Sequence, residues 1–153
     1  MSDDSNDILE DLYKEEVLFH DKNPRNFRAL PDANRRAEGD NPLCGDHFTV
    51  FLKLDNDVIR DISFQGAGCA ISKASASMMT ERLKGKTTAE ARNFFNQFHK
   101  FIETGEGDED AMGSLYALGG VHKFPMRVKC AILSWHALLA ALDGEPAIST
   151  EKQ

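Results

Sequence analysis

The sequence contains no apolar run near the roughly 20 residues that a membrane-spanning helix needs. It also lacks a basic excess: 25 acidic and 18 basic side chains give a formal net charge of -7, which repels the phosphate backbone of nucleic acids. The first residues are acidic and do not show the basic and then apolar pattern of a signal peptide. We therefore expect a cytoplasmic protein that binds neither nucleic acid nor membrane.

Cysteine is scarce, with only Cys44, Cys69 and Cys130 in 153 residues. An odd number of thiols cannot pair fully within one chain, and widely spaced cysteines in a reducing compartment are typically metal ligands or reactive thiols. Apolar residues make up 41% of the chain and charged residues 28%, which is typical of a globular domain. We predict one domain over 1–153, with flexible tails at 1–6 and 145–153.

The spacing of apolar residues predicts an α+β domain. Alternation over 47–54 and 58–64, on either side of a polar turn, predicts a β-hairpin, and 32–40 gives a weaker signal for an edge strand. Residues 103–110 are acidic and glycine-containing, as in a loop. Helical periodicity is found in segments 7–21, 69–83, 88–102, 114–118 and 125–142. Strands followed by helices indicate a small antiparallel sheet covered by helices.

Each cysteine lies beside a predicted boundary between elements. Cys44 is in a Pro/Gly loop before a strand, Cys69 follows a Gly-x-Gly turn at the start of a helix, and Cys130 lies about one turn into the last helix. Ends of strands and helices on one side of a small sheet can converge, so the three thiols can share one site. The alternative is that each cysteine is a small buried apolar residue.

The surroundings of the thiols favour the thiolate form. The amides at a helix N-terminus stabilise negative charge near Cys69, and Arg127 and Lys129 place positive charge near Cys130. Asp46 follows Cys44 with only Gly45 between them, although taken alone it is more typical of a turn. Three thiolates and one carboxylate suit tetrahedral zinc, and sulfur ligands also suit iron–sulfur chemistry. The spacing is not that of a zinc finger or ribbon.

The five histidines give no second site. His47 is expected to be a solvated strand residue that points away from Asp46. The other four are scattered along the chain and are interpreted as structural or surface residues: His20, His99, His122 and His136. Because no histidine has a recognisable relation to a cysteine, a Cys/His hydrolase is disfavoured.

Several motifs resemble the NifU/IscU family of iron–sulfur cluster assembly proteins, most closely its SufU type. The similarity extends over about 12–142, nearly the whole chain. The matching stretches are NPRN (23–26), NPLCGD (41–46), GAGCAIS (66–72), ASASMMT (74–80) and FPMRVKCA (124–131). The resemblance implies a SufE/NifU-like α+β fold, in which helices pack on one face of a three-stranded antiparallel sheet.

The resemblance also implies a site and a partner. The metal ligands would be Cys44, Asp46, Cys69 and Cys130, and a pyridoxal-phosphate-dependent cysteine desulfurase of the SufS type would deliver sulfur as a persulfide. Three features fit the SufU type better than the IscU type. Lys129 replaces the histidine that precedes the third cysteine, a Leu-Pro-Pro-Val-Lys motif is missing, and 60 residues separate Cys69 from Cys130.

The SufU type implies a zinc-dependent sulfur acceptor that works with its desulfurase and is not a stand-alone enzyme. Cys44 is the expected acceptor, because its loop is more mobile than the helices that carry the other two thiols. The sulfur would then pass to a downstream SUF assembly complex or to apo-proteins. Two alternatives stay open: a scaffold that builds a [2Fe–2S] cluster on the same ligands, and a zinc-stabilised interaction module without sulfur chemistry.

Overall fold

A computed structural model of the chain describes residues 3–145 and 147–149, with side chains from residue 13 to residue 145. In chain order, the elements are α1 (Asp3–Lys22), β1 (Arg35–Asn41), β2 (Asp46–Asp55), β3 (Val58–Ala67), α2 (Ala70–Leu83), α3 (Thr88–Thr104), α4 (Glu109–Met112), a 3-10 helix (Gly113–Lys123), α5 (Pro125–Leu142) and β4 (Ala147–Ser149).

The sheet has the strand order β3-β2-β1-β4. β2 pairs antiparallel with both β1 and β3, whereas β4 runs parallel to β1. Asn56 adopts a left-handed conformation with φ 58° in the turn between β2 and β3, as the polar turn predicts. The predicted α+β class and the three-stranded antiparallel sheet are thus confirmed. β4 was not predicted, because three residues are too few to show a period.

Parts of the predicted tails have regular secondary structure. Residues 3–6 begin α1, and 147–149 form β4 against the outer edge of β1. Residues 147–149 form a strand through backbone pairing with β1. Their sequence is too short to show the alternation that would predict a strand. The flexibility of the tails and the single-domain organisation over 1–153 stay predictions.

α2 lies at the centre of the helical layer, between α1 and α5 and beside β3. Its small side chains permit this close packing, and most of them are buried: Ser72, Ala74, Ser75, Ala76 and Ser77. Ser75 joins α2 to α5. Its hydroxyl accepts a hydrogen bond from the Trp135 indole N–H at 3.0 Å and donates one to the Ala131 carbonyl at 2.6 Å.

α3 begins with a capping box. The Thr87 hydroxyl accepts a hydrogen bond from the Glu90 backbone N–H, and the Glu90 carboxylate accepts one from the Thr87 backbone N–H. The apolar face of α3 packs against Trp135, whose ring lies 4.5 Å from that of Phe98 between centroids. This aromatic group belongs to the main hydrophobic core.

The segment between α3 and α5 is more ordered than its sequence indicates. The expected loop over 103–110 contains the end of α3 and the start of α4, whose N-terminus is capped by the Asp108 carboxylate. The short helix predicted over 114–118 extends as a 3-10 helix from Gly113 to Lys123. No helix in the described part of the chain is both long and apolar enough to cross a membrane.

The buried serines allow a direct test of the contact between α2 and α5. Ser75→Ala leaves the Trp135 indole N–H without its acceptor, so we expect the free energy of unfolding to fall by about 1–3 kcal/mol. Urea denaturation followed by tryptophan fluorescence measures this change.

Ser134→Ala is the matched control. Ser134 is equally buried, but its hydroxyl has no hydrogen-bond partner among the described residues. Its replacement should change stability little or raise it, because no partner loses a bond. Equal losses in the two variants would contradict the assignment of the Trp135 bond as stabilising.

Candidate metal centre

Three predicted ligands meet where β2 begins. The ligand atoms of Cys44, Asp46 and Cys130 all lie within 4.8 Å of one another, and the sulfurs of Cys44 and Cys130 are 3.6 Å apart. Cys44 is exposed in the loop between β1 and β2, whereas Asp46 and Cys130 are buried. These three residues therefore form one cluster, although Cys130 is far from the other two in sequence. We use the name thiol centre for this cluster together with Cys69.

The tight turn between β1 and β2 brings Cys44 and Asp46 together. Asn41 pairs with Asp46 across the turn, and the Cys44 backbone N–H donates to the Asn41 carbonyl at 3.2 Å. Gly45 has a φ of +73°, a conformation that side-chain-bearing residues rarely adopt. The glycine between Cys44 and Asp46 thus permits the turn, as the sequence predicts.

Cys69 joins the thiol centre through Asp46. It is the N-cap residue of α2, and its backbone N–H donates to Oδ1 of Asp46 at 2.8 Å while its sulfur lies 3.6 Å from Oδ2. A Cβ atom on Gly68 would lie 2.7 Å from Oδ1. Only glycine at position 68 therefore lets the start of α2 come this close to the carboxylate.

The donor set suits a tetrahedral metal ion. Metal–sulfur bonds of about 2.3 Å place neighbouring sulfurs about 3.8 Å apart around zinc, close to the 3.6 Å between Cys44 and Cys130. Soft thiolates are the ligands that favour zinc and iron–sulfur clusters. Cys69 lies outside the group of three that meets within 4.8 Å. Metal binding by all four residues stays a prediction.

The thiols differ in their protonation. Contact with Cys130 and hydrogen bonds with Ser72 lower the pKa of Cys69 to about 6, although burial and the Asp46 carboxylate oppose this shift. The pKa of Cys130 is raised by its bond with Cys69 and by burial. Without a metal, the thiolate form is thus favoured at Cys69 and disfavoured at Cys130.

The two cations expected near Cys130 have other surroundings. The Arg127 guanidinium lies 4.3 Å from the Phe124 ring centroid and 5.9 Å from that of Tyr13. Lys129 lines a separate pocket between α3, the 3-10 helix and α5. The influence of both cations on the Cys130 thiol stays a prediction.

Three further residues belong to the site, although the sequence reasoning gave them no role. The Ser72 hydroxyl donates to Oδ2 of Asp46 at 2.6 Å and lies 3.0 Å from the Cys69 sulfur. The Asn41 amide lies 4.0 Å from the Cys130 sulfur. Tyr13 is near enough to Cys69 and Cys130 for both to raise its pKa, which burial raises most. Ser72 lies three residues after the N-cap Cys69, and this spacing was the available signal.

The histidines are not arranged as their sequence positions suggest. His47 is an exposed strand residue, as expected, with Nε2 3.0 Å from Glu38. His20 is buried, and its ring hydrogen-bonds to Ser77 at 2.6 Å. The other three histidines, although scattered along the chain, line one pocket: His99, His122 and His136.

Comparisons with known proteins agree with this architecture. The sequence profile of the NifU-like N terminal domain matches residues 12–141. The chain is 44% identical over 131 residues to the zinc-dependent sulfurtransferase SufU of Bacillus subtilis (strain 168), covering 85% of this chain and 88% of that protein. It is 39% identical over 135 residues to the iron–sulfur cluster assembly scaffold protein IscU of Streptococcus pyogenes serotype M1, covering 88% and 84%.

Solved structures share the fold. A crystal structure of a candidate iron–sulfur cluster assembly scaffold protein for the SUF system, from Fervidobacterium islandicum AW-1, superposes with a TM-score of 0.80 at 36% identity, covering 86% of this chain and 96% of that one. A hypothetical protein of known structure gives a TM-score of 0.81 at 38% identity, covering 88% and 98%. The chain belongs to the NifU-like N-terminal domain family of iron–sulfur cluster assembly proteins.

Proposed function

We propose that this protein is a zinc-dependent sulfur acceptor. It would take persulfide sulfur from a pyridoxal-phosphate-dependent cysteine desulfurase of the SufS type and pass it to a downstream SUF assembly complex or to apo-proteins. The difference in exposure among the thiols supports this role most strongly, because only Cys44 is exposed, whereas Cys69 is half-buried and Cys130 is buried. The cytoplasmic location and the lack of nucleic-acid or membrane partners stay predictions.

The proposed zinc ligands are Cys44, Cys69, Cys130 and Asp46. Bound zinc would keep the sulfurs as thiolates at neutral pH. The protein holds the inner part of this set in place, since Cys69 caps α2 and Cys130 lies within α5. Asp46 is oriented by the Cys69 backbone N–H and the Ser72 hydroxyl. Cys44 alone lies on a loop, so it is the ligand that can move toward a partner.

The chemical step is thiol–persulfide exchange. The Cys44 thiolate attacks the outer sulfur of the persulfide on the desulfurase cysteine and forms a new S–S bond. The S–S bond on the desulfurase breaks at the same time, and its cysteine leaves as a thiolate. One sulfur atom moves with no net oxidation or reduction, and the acceptor then carries a Cys44 persulfide.

The surface around Cys44 suits a protein donor. Leu43, beside Cys44 in the loop, is 60% exposed. Phe124 and Met126 are also exposed where α5 begins, about one turn before Cys130. Exposed apolar side chains beside a reactive group favour a protein partner over a small molecule. Desulfurase docking at this surface would exclude water from the exchanging sulfurs.

The acceptor role of Cys44 predicts the behaviour of Cys44→Ser. Mixed with a persulfide-loaded desulfurase, the wild-type protein should gain the mass of one sulfur atom at Cys44, while Cys44→Ser should take up at least about tenfold less sulfur, because a serine hydroxyl is not a nucleophile in this exchange. Intact-mass and peptide-mapping spectrometry measure both.

Far-UV circular dichroism and zinc content of Cys44→Ser show whether the loss reflects the missing thiol or a damaged site. Stoichiometric sulfur on Cys44→Ser, or a wild-type persulfide mapped to Cys69 or Cys130, would rule out Cys44 as the acceptor.

Metal removal separates sulfur transfer from a purely structural role of zinc. The main core around Trp135 and Phe98 is built without the thiol centre, so we expect the chelator-treated protein to keep its helical spectrum and to melt cooperatively at a lower temperature. Stimulation of desulfurase turnover should disappear and return when zinc is restored.

The alternative of a zinc-stabilised interaction module without sulfur chemistry predicts a different outcome. In that case the chelated protein unfolds, and desulfurase turnover does not respond to the metal state at all. Unchanged turnover with the metal-free, folded protein would contradict a zinc-dependent acceptor.

A scaffold for a [2Fe–2S] cluster is the second candidate, because two of the similar proteins reported above carry the name scaffold and thiolates are the usual cluster ligands. Anaerobic incubation with iron and sulfide tests it. A sulfur acceptor should form no stable visible-absorbing cluster, whereas a scaffold should form one and transfer it to an apo-ferredoxin. Stoichiometric transfer would favour the scaffold over the acceptor.

A further inference from the structure

A second group of metal-binding side chains lies outside the thiol centre. It lines a cavity of about 510 Å³ between α3, the 3-10 helix and α5, which we call the histidine pocket. Its potential ligands are His99, Glu103, His122 and His136. Cys130 is not among the residues that line it, so a ligand in this pocket would not share the thiols.

The rings of His99 and His136 line the same pocket, and their centroids are 6.1 Å apart. Two imidazoles bound to one tetrahedral ion through bonds of about 2.0–2.1 Å place their centroids about 5.2 Å apart. A closing movement of about 1 Å would therefore bring the two rings to that spacing. Nε2 of His99 also lies 3.5 Å from a Glu103 carboxylate oxygen, near the separation of neighbouring ligand atoms around one ion. Phe95 stacks on the His99 ring at 5.5 Å and restricts its position.

His122 has the hydrogen bond that metal-binding histidines usually make. Its Nδ1 lies 2.7 Å from the Gly119 carbonyl, so Nδ1 carries the proton and donates it. This leaves Nε2 with a free lone pair. In protein metal sites the same backbone contact fixes the tautomer and orientation of the ring.

The protonation of His136 favours a cation over an anion. Burial, with a smaller contribution from His99, lowers the pKa of His136 to about 4, so the imidazole is neutral at physiological pH and need not lose a proton to bind a metal. Glu103 repels anions from the same pocket. Lys129 also lines it, and the carboxylate of Glu103 offsets that positive charge.

We propose that the histidine pocket is a second metal site, which binds one divalent transition-metal ion through imidazole and carboxylate ligands and is separate from the thiol centre. Such ligands suit Zn²⁺, Co²⁺, Ni²⁺ and Fe²⁺. The four ligand atoms do not all meet in this structure, so binding requires rotation of side chains, for which the cavity leaves room. The ion would clamp α3 and the 3-10 helix onto α5.

Cobalt titration of the full chain, with zinc already bound in the thiol centre, tests the proposal. The histidine pocket should take up one further Co²⁺ per chain and show visible d–d bands without the near-ultraviolet charge-transfer bands of cobalt–thiolate bonds. Thermal melting should shift upward with added cobalt, because the ion binds only the folded state.

Two variants and two controls locate the binding. His99→Ala and His122→Ala should each weaken the extra Co²⁺ by at least about tenfold. Their chain neighbours, Lys100 and Lys123, are exposed and do not line the pocket, so Lys100→Ala and Lys123→Ala should bind as the wild type does. The histidines replaced are only part-buried, and circular dichroism verifies that the variants fold.

Three outcomes would overturn the proposal. The first is no Co²⁺ beyond the zinc equivalent. The second is cobalt that appears only with thiolate charge-transfer bands, which means that it has exchanged into the thiol centre. The third is equal affinity in His99→Ala and Lys100→Ala. None of these outcomes bears on sulfur acceptance at Cys44, so the two proposals fail independently.

Discussion

The buried carboxylate of Asp46 is the interaction on which the site depends. It is fully excluded from solvent, and a buried charge is costly unless hydrogen bonds compensate it. The backbone N–H of Cys69 and the hydroxyl of Ser72 provide that compensation. Both donors belong to the first turn of α2, whereas Asp46 begins β2. The bonds that satisfy the charge therefore also join a strand to a helix and fix two potential ligands relative to each other.

The packing of α2 makes this junction possible. A helix with large side chains on this face would stand farther from the sheet and from α5, and Asp46 would lose its donors. Buried serines and alanines allow the close approach, and Ser75 replaces lost apolar contact with hydrogen bonds to α5. Since α5 carries Cys130, the same helical layer sets the distance between the thiol on α5 and the carboxylate on β2.

Much of this arrangement could be predicted from the sequence. The capping box at Thr87, the phenylalanine face of α3 and the alternating strands are local patterns. They are present in the structure because each of them agrees with the packing of the whole fold. The proximity of Cys44, Asp46 and Cys130 was also accessible, since Cys44 and Asp46 lie where β2 begins and Cys130 lies in the first two turns of α5. The role of Ser72 was missed because a serine in the first turn of a helix has many ordinary uses.

The remaining features depend on distant contacts that no local pattern encodes. The opposite pKa shifts of Cys69 and Cys130 arise from the interaction between the two thiols, which come from different helices. His99, His122 and His136 come from three elements and meet through tertiary packing.

The short β4 has a consequence for how copies of this protein behave when crowded together. An edge strand with unpaired backbone groups is a template for joining to another chain, which is a common route to aggregation. β4 occupies that position along Glu38–Asp40 of β1. A strand of only three residues thus prevents another chain from pairing with this edge of the sheet. Because the pairing uses main-chain atoms, it tolerates wide variation in the side chains of β4.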